Sequence, residues 1–247
     1  MGTVAFRALH PLFGRGKNGL PPSYQQRSPF YWWWAFLRRN DDYLATCANG
    51  GGGELAALYA DFGDVREDAF KAWWTAGERG ARLFGEKPLP VKLGELDSPA
   101  QWDPAWTHSD VMVVAVPLTI SKRRLQTYFA ALLKKRHEGK RGRKALSEPG
   151  ASTARYPLHR NVSVNTLRIQ LAVYDAVIAN KQADKPRSLW QLGVALRVVP
   201  AAIPLAKDLP SDAALKRAVL SSTVSRYFRA AERIVANTAR GEFPNST

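Results

Sequence analysis

Cysteine, methionine, histidine and acidic residues are all scarce in this chain. Its 247 residues hold one cysteine, two methionines and four histidines, and 21 acids stand against 36 lysines and arginines. A single Cys47 excludes an intramolecular disulfide framework and any cysteine-based zinc cluster. The histidines (His10, His108, His137, His159) are scattered and show no His-Glu-x-x-His spacing, so no metal centre and no cofactor is expected. Apolar runs are short as well. The longest, such as Phe30 to Leu37, fall far below the roughly 18 residues that a membrane span needs. The N-terminus lacks a continuous apolar stretch, and Phe6 stands where a myristoylation signal requires Ser or Thr. These absences predict a soluble, intracellular, cytoplasmic protein with no membrane partner.

What is abundant is positive charge, unevenly placed. Residues 121–160 carry twelve bases against two acids, +10 of a net +15, whereas residues 51–120 carry six bases against eleven acids. Such separation produces a directional field suited to a polyanion. With a sequence pI near 10.2, a nucleic acid, DNA or RNA, is the expected partner.

Periodicity predicts a mainly α fold of about seven helices with one buried strand near 110–118. Residues 1–28 read as an irregular basic arm. Residues 29–109 form a Trp-rich helical domain ending in a Pro-rich linker, and residues 110–247 form a basic helical domain. Ser28 and Pro29 open the first helix, and the four glycines after Asn49 close it. A short helix is expected over 54–62 and another over 66–84, with Asp64 as the latter's cap. The linker over 85–109 includes Trp102 and Trp106. Asp110 to Leu118 is an apolar run read as a strand buried on both faces. Helices follow over 121–137, 164–180, 189–198 (capped by Ser188) and 211–240.

Three basic constellations carry the functional expectation. Lys122, Arg123 and Arg124 fall in the first turn of a helix, where the macrodipole disfavours cations and free N–H groups favour a phosphate. The cluster Lys134 to Arg136 lies in the last turn, where cations are favoured, and needs no further role. Lys140, Arg141, Arg143 and Lys144, hinged by glycines, form a candidate phosphate-gripping loop. On the last helix Ser222, Arg226, Arg229, Arg233, Asn237 and Arg240 share one face, opposite Leu220, Val224, Tyr227, Ala231, Val235 and Thr238.

Other motifs are weaker. The pair of helices at 189–198 and 213–240 invites a helix-turn-helix reading, but the joining segment Val199 to Pro210 far exceeds the motif's turn of three or four residues. Core packing is the simpler account of the aromatic run Phe30 to Phe36. Trp32 and Phe36 are then the ones left exposed for a protein partner of the N-terminal half. Asp61, Asp64, Glu67 and Asp68 could hold Mg²⁺ as in a nuclease, but the better account is a cap at Asp64 with Glu67 and Asp68 in the helix's first turn. No catalytic residue is assigned. The expected function is non-enzymatic nucleic-acid binding; the alternatives are a structural or adaptor subunit of a larger complex, and a metal-dependent nuclease.

Overall fold

The computed structural model describes residues 5–14, 19–67, 69–86, 96, 98–101, 112–136, 152–159 and 163–246. The fold is mainly α. By its internal contacts the chain divides into two units, Met1–Arg7 with Gly85–Ala154, and Ala8–Phe84 with Arg155–Thr247.

In the larger unit the helices are α1 (Pro22–Gln25), α2 (Pro29–Leu37), α3 (Asp41–Ala48), α4 (Ala56–Phe62), α5 (Phe70–Thr75) and α6 (Arg79–Phe84). Ser28 caps α2 by accepting the Phe30 N–H at 3.2 Å, with Pro29 in the first turn. The first helix read from sequence is in fact two. Asn40 breaks it: its Oδ1 accepts the Tyr43 N–H at 2.8 Å and caps α3, while its Nδ2 donates to the Val235 carbonyl at 3.1 Å. The helix expected over 66–84 is also divided, at Gly77 and Glu78, both with φ of 54°. Asp64 caps neither half, and its carboxylate instead holds the Arg66 guanidinium at 2.6 Å.

The core of this unit is aromatic. Trp33, Trp34, Phe36, Phe62 and Phe84 are essentially inaccessible. Phe30 stacks on Phe84 at 4.7 Å, and Trp74 lies parallel to Phe84 at 5.7 Å and 12°. Rings of this size contribute strongly; truncating one to alanine typically costs about 3–5 kcal/mol. Trp32 and Phe36 are buried too, contrary to the expected exposure. A helix buried all round leaves no free face, and Trp32 secures its place by donating its indole N–H to the Gln26 carbonyl at 2.7 Å.

The C-terminal part of the same unit holds α8 (Val164–Lys181), α9 (Leu189–Ala195) and α10 (Pro210–Thr238). Ser188 and Gln191 make a capping box at the start of α9. Val173, Val177, Leu192, Val198 and Val224 form the shared apolar core, flanked by Tyr227 and Phe228. Gly193 lets α9 approach α10 closely, since a Cβ there would stand 3.2 Å from Leu220 and Val224. Residues 196–209 join the two helices, so the connection is too long for a helix-turn-helix. Arg39, in the turn after α2, holds α8 through two bonds to Asp175, at 3.1 and 2.8 Å.

The smaller unit contains α7 (Lys122–Arg136). Glu86 gathers Arg7, the Ser152 hydroxyl and Thr153 around its carboxylate. Burial opposes the charged form of Glu86, but these partners outweigh it and hold its pKa below the ordinary value. The strand predicted over 110–118 does not form among the described residues. Residues 112–117 make no ladder, and Val113 and Val116 are exposed. Among the described residues no second strand is present to satisfy such a run, and Pro117 has no N–H to donate.

Among the described residues no helix is long and apolar enough to cross a membrane.

Candidate nucleic-acid interface

The arginine face of α10 is set by its buried face. Leu220, Val224, Ala231, Ile234 and Val235 are covered, and with a period of 3.6 the residues opposite them must face outward. Arg226, Arg229 and Arg233 are accordingly exposed, as is Ser222. Together with Ser225, Ala230 and Ser246 they line an open groove of about 450 Å³. Among the described residues no carboxylate lines it.

The groove is a donor surface. Arg233 Nη1 donates to the Ser246 carbonyl at 3.2 Å, which brings the C-terminal tail alongside as the far wall. The Arg226 guanidinium lies over the Tyr227 ring at 5.4 Å. Among the described residues no carboxylate forms an ion pair with any of the three arginines. Like charges three and four residues apart on a helix cost only about 0.2–0.5 kcal/mol per pair. The buried face offsets that easily, so the helix holds the stripe without an anion. What the arrangement can do chemically is accept a phosphate through its arginine forks, which match phosphate oxygens; the Ser222 hydroxyl already donates to the Val219 carbonyl at 3.0 Å.

Two of the residues expected on this face stand apart from it. Asn237 is buried, at 6% exposure, and donates through Nδ2 to the Asn245 carbonyl. Its amide fixes the tail and does not face outward. Arg240 is exposed but lies in the turn beyond α10, where Nη1 reaches Asn237 Oδ1 at 3.4 Å. Ser246 is the groove residue that periodicity could not reveal, since it comes from outside any helix.

In the smaller unit Lys122, Arg123 and Arg124 occupy the first turn of α7 as expected, all exposed, with no acid in that turn. Leu125 and Phe129 are half-buried, whereas Tyr128, Leu132 and Leu133 are exposed. Lys140, Arg141, Arg143 and Lys144 lie outside the described residues, as do Trp102 and Trp106.

The acidic cluster is divided among structural tasks. Asp61 is buried, and its Oδ2 accepts from Tyr156 and from Arg155, each at 2.7 Å. Burial, reinforced by that hydrogen bond, pushes the Tyr156 hydroxyl up to about 12. Asp64 is engaged by Arg66, whose hydrogen bonds lower its pKa. Asp68 lies outside the described residues, and among those described no three His, Cys, Asp or Glu side chains gather as a metal site would require. Cys47 is buried against the same region, and burial raises its thiol pKa.

Fold and groove together define a mainly helical protein that presents an arginine- and serine-lined surface on its longest described helix. No family model, curated protein or solved structure matches the chain.

Proposed function

We propose that this chain is a non-enzymatic nucleic-acid-binding protein. It grips the phosphate backbone through the first turn of α7, the Lys140–Lys144 segment, and Arg226, Arg229, Arg233 and Arg240. The observation that carries this reading is the α10 groove, where three arginines and three serines converge with no carboxylate among the described residues that line it. The net charge of +15 supplies the long-range attraction.

The alternative, an adaptor subunit that docks on a protein partner, draws on a different observation. Tyr128, Leu132 and Leu133 expose apolar surface on α7, which phosphates do not need. A gel shift with full-length chain and a Lys122/Arg123/Arg124→Ala variant separates the two. Nucleic-acid binding that weakens in the variant supports the proposal and gives α7 a part in it. Absence of binding in the wild type overturns the proposal in favour of the adaptor reading.

A further inference from the structure

Phosphate gripping leaves part of the α10 face without a role. At about 100° per residue, Leu215, Ser222, Arg226, Arg229 and Arg233 fall within about 40° of one line, with Val219 about 60° from its centre. Leu215 is 66% exposed and Val219 39% exposed. Neither can serve a phosphate, and the apolar core behind the helix does not cover them. Ser222, on the line, and Ser225, about 60° from it, are short, which lets a partner approach the helix closely. The helix's two acids, Asp212 and Glu232, lie about 80° to either side of the line.

Shape adds to the chemistry. α10 runs for 29 residues, about 43 Å at 1.5 Å per residue, with no glycine and no proline after Pro210. Leu220 and Val224 clamp its inner face against Gly193 of α9, so the opposite face is held outward on a rigid support. A helix about 10–12 Å across fits the major groove of B-form DNA, which is about 12 Å wide. The major groove of an A-form RNA duplex is too narrow to admit one. In the DNA groove apolar side chains meet thymine methyl groups, arginine forks onto guanine O6 and N7, and serine adapts to several base edges.

We propose that the outward face of α10 enters the major groove of duplex DNA and reads sequence there. Leu215 and Val219 contact thymine methyls, and Arg226, one turn beyond Ser222 on the Val219 side, reads guanine. Arg229 and Arg233 hold the flanking phosphates. The inference rests on the nucleic-acid reading above and narrows it to duplex DNA with base recognition.

The test uses the full chain and fluorescence anisotropy at one fixed salt concentration, against a 20-base-pair DNA duplex, one strand of it, and the RNA duplex of the same sequence. A random DNA duplex pool is selected in parallel. DNA duplex binding about ten-fold or more tighter than either other form is expected, with a selected site containing guanine beside thymine. Arg226→Lys keeps helix and charge and should lose about ten-fold of the preference for guanine at one position, while Arg229→Ala weakens all sequences alike. Leu215→Ser with Val219→Ser should remove the thymine preference. Equal affinity for DNA and RNA duplexes, with a pool that does not converge, overturns base reading by α10 while leaving phosphate gripping intact. Failure to bind any of the three overturns both.

Discussion

Replacing Arg226, Arg229 and Arg233 together by alanine should change how binding responds to salt, by an amount the structure sets. The groove offers three exposed arginines to phosphates. If each meets one phosphate of a DNA duplex, their loss makes the slope of log K against log salt shallower by about 2.7, at about 0.9 per contact; with Arg226 on a guanine edge instead, the change is about 1.8. Raising salt from 50 to 200 mM then costs the triple variant about 12- to 40-fold less affinity than it costs the wild type. Anisotropy titrations of a labelled duplex at four salt concentrations read both slopes directly. Because the substitutions relieve like-charge pairs on an exposed face, the melting temperature should hold or rise slightly. A triple variant that binds with the wild-type slope would refute the placement of phosphates in this groove.

Further expectations concern the scaffold. In Gly80→Ala the new Cβ would stand 2.1 Å from Cε2 of the buried Trp74 ring, so urea melts should show a loss of about 1–3 kcal/mol despite better helix propensity. Asn40→Ala removes both the α3 cap and the bond to the Val235 carbonyl, with an expected loss of about 1–3 kcal/mol; Asn40→Asp keeps the cap and should recover part of it. Glu86 has a lowered folded pKa, so its stabilising effect is complete above its unfolded value of about 4.3. That effect is lost as pH falls through the lower folded value. Acid unfolding followed by circular dichroism should show Glu86→Gln weaker than wild type above that range, the two converging below it.

Much of the helical order was legible from short-range signals. Ser28 with Pro29, and Ser188 before α9, announce helix starts because the cap and the first turn sit within three residues. α10 declares its buried and exposed faces through a period repeated over eight turns. The features that escaped depend on distant partners. The break at Asn40 had a local mark that apolar periodicity passed over, a capping Asn followed by Asp41 and Asp42, but its bond to Val235, 195 residues away, was not readable. Trp32 and Phe36 looked available because a helix ordinarily has one buried face, whereas here neighbours surround α2; Phe243 of the tail, for one, meets Phe36 at 5.8 Å. The apolar run near 110–118 had the composition of a buried strand, but a strand needs a partner ladder, which composition does not supply. The arginine face was readable from α10 alone, but its groove was not, because Ser246 and the tail make the other wall.

Nucleic acid carried by the protein as isolated at low salt is the plainest test of the proposed binding. The absorbance ratio at 260 and 280 nm, taken before and after a high-salt wash, should start well above that of a protein with eight tryptophans and fall to it. The material released should be nuclease-sensitive. Protein that carries no nucleic acid at low salt, and takes up none when an excess of duplex is added before the same measurement, is not a nucleic-acid-binding protein.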